Sequence, residues 1–240
     1  MSKKKNTLLR NTSILMAATI ISRVIGLLYR SPLGETIGNE GLGYYSTASN
    51  LYTILLLISS YSIPMAVSKI VSERLALKEY RNAHRVFHGA LIYAVIVGGI
   101  AALVAFFGGK FLLPYNQQNA LLALRVLAPT IFFSAVLGVL RGYFQAHSTM
   151  MPTSISQIIE QIFNAAFSIG AAWFFIQQFA TNDTERAKFG AAGGTLGTGA
   201  GVLAGLCFML LVYGVNRKSI LRKAAKDTRH REESYREIFQ

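Results

Sequence analysis

Apolar residues run in six long blocks, near 11–30, 43–68, 88–108, 119–142, 152–179 and 191–215, with short polar stretches between them. Each block approaches or exceeds the roughly 20 residues that a helix needs to cross a bilayer core, and none alternates as a barrel strand does. A helix closes its backbone hydrogen bonds within its own segment, which a lipid environment demands. The pattern predicts an all-α integral membrane protein. Its six-helix transmembrane bundle covers 11–215, between a basic amino end (1–10) and a basic amphipathic tail (216–240).

Composition agrees, since only 15% of residues are charged against about 25% in soluble domains. The amino end, MSKKKNTLLR, resembles the start of a secretory signal. Arg23 and Arg30 interrupt the following run, however, and no small-residue cleavage site appears, so the first span reads as uncleaved. A net charge of +13 raises nucleic acid as a partner, but the basic residues cluster between apolar blocks and exclude that reading. Four precede the first block, five occupy 69–88, Arg141 falls at the turn between the fourth and fifth spans, and eight lie in the tail. The other side holds Arg30, Lys110, Arg125, Arg186 and Lys188. This asymmetry predicts that both termini are cytoplasmic. The tail reads either as a solvated helix near anionic headgroups or as the lead-in to a further membrane segment.

Charges inside apolar blocks are few, and such residues usually face a cavity or a partner. Arg23 lies mid-span, and Arg30 follows two turns later on the same face, with Thr12, Met16, Thr19 and Gly26. One reading is the cationic wall of a hydrated path for an anionic headgroup, since guanidinium offers phosphate a planar fork of donors. The other has Arg30 snorkelling to the outer interface while Arg23 pairs with a carboxylate, for which Glu160 is the natural partner. Thr153, Gln157, Glu160, Asn164 and Ser168 form a polar stripe on the fifth span, suited to interhelical hydrogen bonds or to a transport path. In the second span Ser46, Asn50, Thr53, Ser60 and Pro64 share a face, and Pro64 predicts a kink by freeing the Ser60 carbonyl. Pro129 would do the same to Arg125. The candidate substrate-binding residues are Arg23, Arg30, Asn50, Glu160 and Asn164.

Gly193, Gly197, Gly201 and Gly205 recur at every fourth position of the sixth block and predict close helix packing rather than a phosphate loop. His84, His88, His147 and His230 all fall in predicted loops or the tail without metal-ligand spacing. No nucleophile elbow or close acid pair appears. The chain is expected not to be an enzyme and to need no cofactor or metal.

The run LRGYFQ, then MMPT, then SQIIEQ and Asn164, resembles the flippases of the multidrug/oligosaccharidyl-lipid/polysaccharide exporter superfamily. ISRVIGLLYRSPLG, IGNEGLGYYSTASNLY and SIPMAVSKIVSE are similar to the same group, in its stage V sporulation protein B and YtgP-like branch, related to lipid II flippases. The resemblance covers about 7–240. It implies two lobes of about six helices around a central cavity, alternating access by rocking, with this chain as the amino-terminal lobe. It implies as partners a lipid-linked anionic oligosaccharide, membrane lipids and the second lobe. Arg23 in SRVIG matches a cavity-facing arginine of such proteins, and Arg30 falls one position from a second. Other members carry charged residues in the second span, whereas 43–68 has none, so the headgroup-binding details of those members do not carry over. Gln145, Glu160, Gln161 and Asn164 match a family signature. The expected function is flipping of a lipid-linked oligosaccharide, lipid II in the first instance, across the bacterial cytoplasmic membrane. The rivals are a cation-coupled drug exporter of the same superfamily and a non-transporting membrane scaffold.

Overall fold

A computed structural model describes the backbone over 2–227 and the side chains over 12–225 together with Asp227. The described chain is helical nearly throughout, with no strand among the described residues. The helices are α1 (Ser2–Leu28), α2 (Arg30–Ser59), α3 (Ile63–Ala76), α4 (Tyr80–Leu112), α5 (Leu121–Ala146), α6 (Met151–Phe179) and α7 (Asp183–Lys226), with a 3-10 turn at Tyr115–Ala120 before α5. Five stretches are long and apolar enough to cross a membrane, starting at Arg30, Tyr80, Tyr115, Met151 and Asp183, and Thr12–Leu28 is a shorter apolar helix. This is the all-α membrane bundle that the pattern predicts.

The path of the first two spans differs from the apolar blocks. Tyr29 keeps a helical backbone (φ −78°, ψ −15°), and its N–H and carbonyl continue the hydrogen-bond ladder to Ile25 and Leu33. The first span therefore continues through Tyr29 and runs on past Arg30. It ends at Gly38, where φ +74° and ψ 173° leave the helical region. The chain folds back there. Tyr29 and Tyr45 touch through their hydroxyls at 3.0 Å, whereas sixteen residues of straight helix would separate them by about 24 Å. Asn182 caps α7 in the usual way, its side chain accepting from the Glu185 N–H at 2.8 Å.

The kink expected from Pro64 is a full interruption placed slightly earlier. α2 stops at Ser59, α3 restarts at Ile63, and Pro64 occupies the first turn of α3, where its missing N–H leaves no bond unmade. The Ser60 carbonyl is not free, since it accepts from Ile63 N–H at 3.2 Å. α5 runs unbroken through Pro129. His84 and His88 lie in the first turns of α4 rather than in a loop, and His230 lies outside the described residues. α7 carries helix well past 215, and the rest of the predicted tail is also outside the described residues.

α5 is the central helix. Leu124, Leu127 and Ile131 pack into a core with Leu33, Ile37, Tyr45 and Ala191, while Leu137, Leu140 and Tyr143 pack into a second with Val71, Phe87 and Met209. Large apolar side chains also point outward, among them Phe107, Phe111, Ile58 and Leu211. That arrangement is costly in water and favourable in lipid. The predicted glycine packing is present: Gly193, Gly197, Gly201 and Gly205 of α7 lie directly against α6 at Ala171, Ser168, Glu160 and Ser156. Contacts this close replace the hydrophobic drive that a bilayer cannot supply.

Candidate functional site

A cavity of about 570 Å³ opens between α1, α2, α5 and α6. α1 lines it with Thr19, Ser22, Arg23, Gly26 and Leu27, the junction with α2 adds Tyr29 and Arg30, α5 adds Arg141, and α6 adds Gln157, Glu160, Gln161 and Asn164. The α1 residues recur at three- and four-residue spacing, so one helix face delivers them. Because the helical ladder persists through Tyr29, Arg30 stays near that face. On α6 the same spacing presents Gln157, Glu160, Gln161 and Asn164 together. The structure thus brings together Arg23, Arg30, Glu160 and Asn164 from the candidate residues. Asn50 is exposed on α2 and is not among the residues lining the cavity.

Arg23 is not the partner of Glu160. The Glu160 carboxylate accepts from Arg141 Nη2 at 2.7 Å, and Arg141 Nε donates to Ser156 Oγ at 2.9 Å. Arg141, expected in a cytoplasmic turn, lies inside α5 instead. The apolar stretch ends near it, but GYFQA continues the helix to Ala146, and the long side chain reaches across to α6. Sequence reasoning missed Arg141 because a basic residue at the edge of an apolar block reads as a loop charge. The available signal is the polar stripe on the next helix, which offers it an acid.

Behind the charged groups a polar network fixes the wall. Tyr29 Oη touches Tyr45 Oη and accepts from Asn164 Nδ2 at 3.4 Å. Ser168 Oγ lies 2.9 Å from Asn164 Oδ1 and 2.8 Å from the Gly194 carbonyl, and its one proton serves both. These bonds tie the first span at Tyr29 to α6 and α7. On the α1 side, Thr19 Oγ1 bridges to Gln157 at 3.4 Å. Ser22 Oγ is buried and has no hydrogen-bond partner among the described residues.

Electrostatically the cavity holds three guanidinium groups and one carboxylate. Positive charge is therefore in excess on its walls. Forks of N–H donors beside amide and hydroxyl groups suit a phosphate-bearing, sugar-like ligand. Among the described residues no cluster of three or more His, Cys, Asp or Glu side chains could hold a metal ion.

Comparison with known proteins places this architecture. Residues 8–228 match the family described as polysaccharide biosynthesis proteins. The chain belongs to that family. Three proteins of Bacillus subtilis (strain 168) illustrate the polysaccharide biosynthesis protein relationship. Stage V sporulation protein B is 28% identical over 225 residues, covering 91% of this chain and 41% of the relative. Lipid II flippase MurJ is 26% identical over 242 residues, covering 97% and 44%. The uncharacterized membrane protein YabM is 23% identical over 212 residues, covering 88% and 37%. The chain thus spans less than half the length of these relatives. The resemblance carried by LRGYFQ, MMPT and SQIIEQ is borne out, and every residue lining the cavity falls within the family match. As a polysaccharide biosynthesis protein with these helices, the chain is a multi-pass protein of the bacterial membrane.

Proposed function

We propose that this chain is the amino-terminal lobe of a flippase for lipid-linked oligosaccharides, with the peptidoglycan precursor lipid II as first candidate, working with a second lobe by alternating access. The observation that carries the reading is the cationic cavity between α1, α2, α5 and α6. Arg23 and Arg30 draw the anionic linkage into a hydrated space. Asn164 and the neighbouring glutamines offer hydrogen bonds to sugar hydroxyls, and the prenyl tail stays in lipid. Binding and conformational change suffice for that task, so no catalytic group is assigned. The excess positive charge disfavours an organic cation as cargo, which argues against the drug-exporter rival. A scaffold with no transport role would have no use for two exposed arginines in a membrane-embedded groove. The amino end and the α5–α6 turn face the cytoplasm on this reading.

The test uses the gene product that contains this sequence, expressed in cells depleted of their own lipid II flippase, with outward exposure of lipid II as the readout. Rescue is expected from the parent. Arg23→Ala should lose it while still accumulating in the membrane, since one charge-assisted hydrogen bond to phosphate is worth about 1.5–3 kcal/mol, a roughly ten- to hundredfold effect. No rescue by an abundant parent protein would move the substrate to another polysaccharide precursor. Rescue undiminished by Arg23→Ala would remove that arginine from the mechanism.

A further inference from the structure

The Arg141–Glu160 pair is built unlike a structural strut. Arg141 uses only its Nε and Nη2 edge, on Ser156 and Glu160. Its Nη1 and the second carboxylate oxygen of Glu160 make no hydrogen bond among the described residues. Both side chains line the cavity and keep partial exposure, at 16% and 21%. An ion pair serving only to join α5 to α6 needs no open flank on the same space as Arg23 and Arg30. A phosphate oxyanion and a carboxylate compete for the same guanidinium fork. An anion arriving beside Arg141 also meets the Glu160 carboxylate as a like charge.

We infer that Arg141 is a third anion-binding residue of this cavity, and that Glu160 is the counter-ion it exchanges for the incoming anion. In this arrangement Glu160 and Ser156 together hold the Arg141 fork in place. On loading, the fork turns its donors to the ligand and Glu160 gives way. The inference rests on the anion-binding reading proposed above, and it adds a sign that a structural ion pair lacks. Removing the negative charge of Glu160 must strengthen anion binding, although it breaks a salt bridge.

The test measures binding of UDP-N-acetylglucosamine, a water-soluble sugar pyrophosphate diester, to the 240-residue chain in lipid nanodiscs, at fixed low salt. Arg141→Gln is expected to weaken binding roughly tenfold, the scale of one charge-assisted bond. Glu160→Gln is expected to tighten it severalfold, and the double variant should bind more weakly than Glu160→Gln alone. Glu160→Gln that weakens binding or leaves it unchanged, with Arg23→Ala still weakening it, would overturn the exchange and leave the anion cavity standing. No binding by the parent chain or any variant would remove both. Should a variant lose its fold, the unmodified chain decides. Its arginine side-chain nitrogen resonances are followed through the titration, with Arg141→Lys identifying the relevant signal. A signal that stays fixed while the Arg23 signal moves overturns the inference.

Discussion

Gly197 shows how finely single atoms set this structure. A methyl group there would overlap Ser168 Oγ and lie 2.6 Å from the Ser168 Cα, inside van der Waals contact with a helix backbone that cannot step aside. Gly197→Ala is expected to lower stability by about 2 kcal/mol, the usual scale for overpacking a fitted interface. Gly99 on α4 has nothing within 4 Å of the same added atom. Gly99→Ala is expected to be neutral or to stabilise by up to about 1 kcal/mol through helix propensity. Reversible unfolding of both variants in mixed micelles checks the contrast, and equal losses would refute it. At this scale Arg23 was legible, because an isolated charge in an apolar run has few reasons to exist. Glu160 was legible as a membrane-embedded acid, but its partner was not, since the pair forms across two helices and no spacing rule reports that.

Among the elements, the turn at Gly38 carries the site. Its backbone combination of positive φ and extended ψ is essentially closed to residues with a Cβ. No neighbour lies within 4 Å of a methyl group placed there, so the cost of Gly38→Ala is backbone strain alone, about 1–3 kcal/mol. Thermal unfolding should show that loss. Binding should weaken with it only as far as the Tyr29–Tyr45 contact beside Arg30 is displaced. A variant as stable as the parent would contradict the described turn. The apolar blocks located the helices but not their ends. α4, at 33 residues, is about 50 Å long against a bilayer core of about 30 Å. Hydropathy marks where lipid lies, and helices continue beyond it into polar sequence. Pro64 misled in a different way. A proline in the first turn of a helix costs little, so the break moved back into the serines at 59, 60 and 62.

For the whole molecule, the sidedness predicted from the basic residues gives a direct experiment. With Cys207, exposed on α7, replaced by serine, single cysteines at Tyr115 and Thr149 sample the 3-10 turn before α5 and the turn before α6. A membrane-impermeant maleimide applied to intact cells should label Tyr115→Cys and spare Thr149→Cys until the membrane is opened. The reverse pattern would invert the proposed orientation. At this scale the bundle was legible from the repeat of apolar blocks alone, because lipid allows few alternatives to a helix. The cavity was only half legible. Two of its walls carry periodic polar stripes on single helices, whereas the Arg141 wall and the exclusion of Asn50 depend on how α2 and α5 rotate against their neighbours.

The glycines of α7 that rest on α6 have a mechanical consequence. Turning α7 as a screw by one residue in one direction would put Thr198, Val202 and Leu206 where Gly197, Gly201 and Gly205 now meet the α6 backbone, and in the other direction Leu196, Ala200 and Ala204. None of these fits a gap that has no room even for a methyl group at Gly197 or Gly201. The interface therefore resists small displacements, whereas a slide of four residues would set one glycine where the next now lies. For small displacements α6 and α7 therefore act together, and Glu160 and Asn164 lie on the braced helix. Of the walls of the cavity, α6 is thus the one braced by close packing along its length, and the arginine-bearing α1 takes no part in that glycine contact.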